Sequence, residues 1–585
     1  MKSRVAAIFI LLIIALPVHA FDYMYGANGS PERWSITTPD VNISTNSFDR
    51  NTHAIRFYLE SDAYSTTNTA NELNALRNVF GQWQSVPNTI IKYEDAGLVP
   101  PGQDVNTSDN SNIVFWAKQS TMVNGGHSDI SGALAVTFSS FFPTSTANDI
   151  SQFDIAINGV QSTWFTDFND KNNPGIFVEG PILHEVGHSL GLNHSVIGGA
   201  TMLWDSGSGV NPTAGLSVDE IEFAHALYSS GTFATTLGNL KGTVTKNGSP
   251  VFGAAVILEG LNGILVSGTA TLTNGTYLFN AIPPGNYNAR IVPLDPANAS
   301  NWLIRGTDVA SIFATADTSF LPTGNMPVTL AANTTNTANF TVTNGTQAFH
   351  ITLIRSPTST PNTYSISGQP ISLSLGESNQ TIGVFSADLP ANNATLAITG
   401  DGLTLGTPTF APGNVFSGLN GISVSIGVSS NATPGLRSFI VQQGTNIAYA
   451  NGFIEVLPLV ADFNFDGLDD VFQRQYFFPF TSSNAAPAAD PDHDGFNNAA
   501  EYVAGTNPTD AASFLKLDGV THAANGNTVT WQSVASHRYQ LVFSTNLVTG
   551  TWQNVGGVVT ANGTTASELD TSTNPLRFYR IEALP

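Results

Sequence analysis

The segment ILHEVGHSLGLNHS places His184, Glu185, His188, Gly191 and His194 in the pattern H-E-x-x-H-x-x-G-x-x-H. Residues four apart share one helix face, so the imidazoles of His184 and His188 can reach a single ion. A third ligand from the next turn would crowd them, and the chain must leave the helix and double back. Gly191 permits that reversal because glycine takes a left-handed backbone without a Cβ clash. His194 then completes a cone of three nitrogens and leaves a fourth position for water, which separates a catalytic zinc site from a closed structural one. Glu185 lies about 100° around the helix from His184, beside the ion and not on it. It is the expected general base, taking a proton from water and passing it to a leaving amine. A structural metal site or a surface histidine cluster needs neither Glu185 nor Gly191 at these places.

A second constellation is made of oxygens. DPDHDGFNNAAE puts Asp490, Asp492, Asp494, Gly495 and Glu501 at the alternating ligand, turn and closing positions of an EF-hand-type loop, so calcium is expected there. An earlier copy, DFNFDGLDD, offers Asp462, Asn464, Asp466 and Asp470 as weaker calcium ligands, with Gln473 in place of the closing acid. With the following EYVAGTNPTD, the region resembles the thrombospondin type 3-like repeats of exported bacterial proteins. A dockerin is the competing resemblance, and a solvated acidic linker with Asp-Gly turns is the bland reading.

The zinc ligands need a helix, expected over residues 176–190. Leu73, Leu76, Phe80 and Trp83 at helical spacing predict another over 71–84. A third should begin at Ser217, which forms a capping box with Glu220 ahead of Ile221, Ala224 and Leu227. Strands are expected over 53–59, 89–93, 112–117, 132–138 and 153–158.

These residues together resemble the metzincin clan of zinc peptidases, and within it the matrixins, over residues 21–229. Ser195 follows His194, Met202 in GATMLW falls where a Met-turn would floor the metal, and LSVDEIEFAHALY is similar to a matrixin closing helix. The resemblance implies an α+β catalytic domain, with a twisted sheet and three helices, a lower subdomain, and a substrate cleft between them across the zinc. It also exposes departures. His127 and Asp129 could begin a second, structural zinc site, but Val136 and Gln152 stand where its other ligands would fall, so that site is expected to be absent. Trp204 replaces the usual Tyr after the Met-turn, which gives no support to an extra Tyr ligand.

Composition frames the rest. In 585 residues there is no cysteine, which rules out disulfides and thiol catalysis. The formal net charge of −23 argues against nucleic acid as a partner. Lys2 and Arg4, the apolar run 5–16 and Val18-His19-Ala20 read as a signal peptide over residues 1–20, and the run is short of the roughly 20 residues of a transmembrane anchor. The mature chain is then expected to be secreted, with Phe21 first. Length predicts three to five separately cored units. Beyond the peptidase-like region 21–232, short β-branched runs broken by Gly, Pro and Asn predict all-β sandwiches.

LKGTVTKNGSPVFGAAVILEG and NGTYLFNAIPPGNYNARIV resemble the prealbumin-like carboxypeptidase regulatory-like module, assigned to 238–345. A sandwich of no recognised family follows at 346–458, then the calcium-loop region 459–511. A last sandwich covers 512–585, with Trp531, Tyr539, Trp552 and Tyr579 as expected core aromatics. The reading is a secreted zinc endopeptidase acting on proteins or peptides, its tail modules positioning it on a surface polymer or glycan. The alternative is a calcium-dependent adhesive or carbohydrate-binding protein with a vestigial protease domain; a third reading is a dockerin-bearing component of a larger complex.

Overall fold

In the computed structural model, the stripe of Leu73, Leu76, Phe80 and Trp83 packs helix α1 (Thr69–Gln84) against a sheet, each of these side chains being buried. The structure describes residues 23–24 and 30–585, apart from 144–147, 172, 206, 208, 211–213, 298–302, 358–362, 417, 549, 573 and 575. The expected signal peptide lies outside the described residues. No described helix is long and apolar enough to cross a membrane.

The sheet against α1 contains β1 (Ala54–Glu60), β2 (Tyr93–Val99), β3 (Ile113–Ala117), β4 (Ala135–Pro143) and β5 (Asn148–Asn158). β2 and β3 flank β1 in parallel, β5 continues parallel to β3, and β4 returns antiparallel on β5 with Ala135 opposite Ile157. Short strands Glu32–Arg33 and Phe48–Asp49 bring the total to seven.

Two expected elements shift. The strand expected over 89–93 begins instead at Tyr93, because Ile90 N–H donates to Tyr228 O and Ile91 is buried. The zinc-ligand helix α2 runs Glu179–Leu190, and Ile176–Phe177 pairs as a short parallel strand with Trp164–Phe165. Pro181 explains the later start. Its ring would clash with the carbonyl four residues back in a longer helix, but is tolerated in the first turn. Glu179 in that turn is buried and accepts from Asn78 Nδ2 (2.9 Å) and Gln82 Nε2 (2.8 Å) of α1. At the other end, Trp34 Nε1 donates to Ser189 O and Tyr228 OH to Leu190 O, satisfying carbonyls that a helix terminus leaves open. Helix α3 (Val218–Tyr228) carries the Ser217–Glu220 capping box.

Two sandwiches follow. Residues 238–342 form sheets around Gly238–Lys246 and around Ala254–Gly260, and residues 353–456 form sheets around Leu419–Val428 and Asn446–Val456. They are not separately cored. Val196, Ile197, Ala200 and Leu203, just past the zinc motif, share one buried cluster with Ile257, Phe313, Val384, Phe439 and Phe453. The chain accordingly divides into two compact units, Met1–Leu459 and Val460–Pro585. Apolar faces of the accessory sheets and of the loop after the zinc motif cover one another.

The second unit holds the helices Asp470–Tyr476 and Asn498–Ala504, then two small sheets over a core of Val529, Trp531, Tyr539 and Leu541, with Tyr579 packed partly buried against it. Trp552 departs from the expected core. It is partly exposed, with the Arg580 guanidinium 4.5 Å from its ring centre.

Candidate active site

Gly191 ends α2 at φ 103°, ψ 14° and turns the chain back. There is a second demand on this residue: a Cβ here would lie 2.0 Å from Glu32 O. The reversal brings His194 to His184 and His188, with ring centres 4.7 to 5.1 Å apart. One potential ligand atom from each of the three lies within 4.8 Å of the others.

Each ring is oriented by a carbonyl. His184 Nδ1 bonds Thr201 O (2.9 Å), His188 Nδ1 bonds Leu192 O (2.7 Å) and His194 Nδ1 bonds Asp308 O (2.5 Å). A carbonyl can only accept, so each Nδ1 carries the proton and each Nε2 keeps its lone pair. Burial holds the rings neutral, pushing His188 and His194 down to about 4 and His184 well below its usual value. Three neutral imidazoles with converging lone pairs are a donor set that fits zinc with a position left open.

Glu185 is buried, and burial raises its carboxyl to about 7 while the Thr137 hydroxyl acts in the opposite direction. Thr137 Oγ1, on β4, lies 2.6 Å from Glu185 Oε2 and 2.9 Å from Glu185 O. Met202 is fully buried under α2, and Gly187 makes room for it: a Cβ at 187 would sit 2.5 Å from Met202 Sδ. Met202 N–H donates to Glu220 Oε1 at 2.9 Å, and Ser195 N–H to Met202 O at 2.8 Å. Ser195 Oγ donates to Asp219 Oδ2, whose other oxygen accepts from Ser267 Oγ and Gly268 N of the next module. Thr137, Glu220, Asp219 and Asp308 are the site residues that sequence reasoning missed. Only Glu220 left a signal, as the second half of the capping box.

At the positions of the second zinc site the side chains have other partners. Gln152 is buried and bonded to Asn106 O, Asp109 Oδ1 and Asn110 N, while Asp129 accepts from Ser131. The other converging group among the described residues is Asp490, Asp492 and Asp494. Gly495 N and Phe496 N bind Asp490 Oδ2 and Asp494 Oδ1, leaving Asp490 Oδ1, Asp492 Oδ2 and Asp494 Oδ2 buried without a hydrogen-bond partner. Glu501 Oε2 is equally unpartnered, and burial together with the three aspartates pushes its carboxyl up to about 7. Orphaned carboxylate oxygens of this kind fit a hard divalent cation.

The first loop differs. Gln473 Nε2 donates to Asp466 Oδ2 (2.8 Å) and its Oε1 accepts from Asn464 Nδ2 (3.0 Å), while Asp462 accepts from Asp466 N and Gly467 N and Asp470 from Phe463 N. The amide of Gln473 fills with hydrogen bonds the place of a closing acid, while Asn464 Oδ1 is buried without a hydrogen-bond partner.

Among known proteins, the family model that matches is Matrixin, over residues 48–229. No curated protein matches. Similar solved structures include the minor pilin GBS52 of Streptococcus agalactiae, 13% identical over 19% of this chain and 46% of that one, TM-score 0.14. The Bacillus anthracis TIE protein is 10% identical over 38% of this chain and 33% of that one, TM-score 0.14. The major pilin subunit of Bacillus cereus is 11% identical over 59% and 87%, TM-score 0.13. The chain thus spans less than half the length of the first two. Residues 48–229 form a matrixin-like domain, and that family is one of zinc metallopeptidases.

Proposed function

We propose that the chain is a secreted zinc endopeptidase in which His184, His188 and His194 hold the metal, Met202 floors it, and Glu185 is the catalytic proton carrier. The observation that carries this reading is the set of three imidazoles, each fixed by a carbonyl on Nδ1, on a helix whose Glu185 carboxylate is buried and held by Thr137.

When bound, zinc supplies Lewis acidity toward water and the scissile carbonyl. The chain's own groups do the remainder. Glu185 accepts a proton from the attacking water as the new C–O bond forms, and returns it to the amine as the C–N bond breaks. Thr137 holds the carboxylate in place through its hydroxyl. β4 pairs only with β5 among the described strands, so its outer edge offers backbone groups to an extended peptide that would add as one more strand. A peptide held along this edge would be cut within its length. The loop at Asp490, Asp492, Asp494 and Glu501 takes calcium, and the signal-peptide pattern of residues 1–20 accounts for export.

Glu185→Gln tests the assignment. Zinc content and folding should match the parent, while peptide hydrolysis falls by about 10² to 10⁴. His188→Ala should lose zinc and hydrolysis together. Undiminished turnover by Glu185→Gln would refute the role given to this carboxylate. If the parent cleaves no peptide in a broad library but binds a glycan or polymer, the adhesive alternative holds.

A further inference from the structure

His194 is the one zinc-motif ligand outside α2, and among the described residues the carbonyl bonded to its ring lies outside the matrixin-like domain. Thr201 O and Leu192 O, which orient His184 and His188, belong to the loop that follows the helix. Asp308 O, which orients His194, comes from the β-module that follows, 114 residues away. We propose that residues 303–308 of that module position the third zinc ligand, so that the metal site is built jointly by both parts of the chain. The proposal rests on the zinc reading above.

The segment is fixed for this role. Asp308 caps its own turn, accepting Arg305 N at 2.8 Å and the Arg305 side chain at 2.7 and 2.8 Å. Gly306 fits tightly beneath it, since a Cβ there would lie 2.2 Å from Phe313 O. Val309 and Phe313 are fully buried in the core shared with the loop after the zinc motif. The carbonyl of Asp308 is therefore aimed by an ion pair on one side and by core packing on the other.

Independent contacts clasp the same loop. Trp204 Nε1 donates to Leu303 O at 3.2 Å, and the Arg305 guanidinium lies 5.2 Å from the Trp204 ring centre. Gly268 of the module lies flat on Val196 and Ile197, where a Cβ would approach to 2.7 and 2.9 Å. Asp219 joins Ser195, next to the third ligand, to Ser267 and Gly268. A second-layer partner of a metal-binding histidine fixes its tautomer and direction, and losing one weakens metal binding by about 10- to 100-fold.

The experiment uses the full chain and reads the zinc dissociation constant by competition with a chelator, alongside the melting temperature of the metal-free protein. Asp308→Ala frees Arg305 and lets the turn relax, and should raise the dissociation constant by about 10- to 100-fold. Asp308→Asn keeps an oxygen for Arg305 N but loses the ion pair, and should fall between. Asp317→Ala, which removes the Lys246 ion pair elsewhere in the same module, should leave zinc affinity at the parent value.

Parent-like affinity in Asp308→Ala overturns the proposal, as does an equal loss in Asp317→Ala, which would reflect general loosening of the module. Should Asp308→Ala not fold, Asp308→Asn decides by the same criterion. A parent that takes up no zinc refutes the metal reading itself, and this proposal with it.

Discussion

Gly191→Ala perturbs two separable things. The backbone there has φ 103°, where an L side chain meets the following carbonyl, at a cost of about 1 to 2 kcal/mol. The added Cβ would also sit 2.0 Å from Glu32 O. Glu32 cannot easily withdraw: its N–H is bound to Met24 O, Met24 N–H is bound to Gly191 O, and its strand pairs with β5. Forcing a methyl into such a contact typically costs about 1 to 3 kcal/mol. The sum is about 2 to 5 kcal/mol lost from the first unit. Because the reversal at 191 delivers His194, zinc affinity should fall in parallel. Denaturant unfolding of the metal-free chain measures the first effect, and chelator competition the second. Gly191→Asn separates the causes, since Asn tolerates the left-handed backbone yet still carries a Cβ. It should recover only the smaller part of the loss. Parent-like stability in Gly191→Asn would refute the close approach to Glu32 O, and parent-like stability in Gly191→Ala would refute both arguments.

Glu220→Ala leaves the buried Met202 N–H without that acceptor and removes one half of the capping box, so unfolding should shift by about 1 to 3 kcal/mol in denaturant titration. Titration calorimetry should find one calcium site in Val460–Pro585 and not two, because Gln473 closes the first loop internally; Asp492→Ala should abolish that site, and calcium at 100 times its Kd should stabilise the unit by about 2.7 kcal/mol. Burial raises the Glu32 carboxyl to about 7, so the folded state favours its protonated form. That contribution is fully present below the unfolded value of about 4.3 and is lost as pH rises to about 7. Glu32→Gln should remove the decline, seen as the difference between the pH–stability profiles of parent and variant.

Much of the site was legible because it is local. The spacing of His184, His188, Gly191 and His194 depends on helix geometry and one turn, and Ser217 with Glu220 on one helical start. Helix α1 was readable from its apolar stripe. The misplaced elements lay where local pattern met a tertiary competitor. The run near Ile90 pairs with the end of α3 instead of joining the sheet at once, and Pro181 delays a helix that apolar periodicity alone extends to Ile176. Thr137 and Asp308 were invisible for a different reason. They lie 48 and 114 residues from the groups they hold, and one hydroxyl or one backbone carbonyl leaves no trace in a periodicity. The core that the two sandwiches share with the 196–203 loop was equally illegible, because which apolar faces meet is decided only when the sheets come together.

The core that the 196–203 loop shares with Phe439 and Phe453 also sets an order of events during synthesis. A chain emerging from its N-terminus presents the helix with His184 and His188 early, while the strands that hold the loop beyond His194 arrive near the end of the first unit. Contacts so distant in sequence form late and slowly. An unfinished chain therefore owns every residue of the motif before the strands that pack the loop beyond His194 exist.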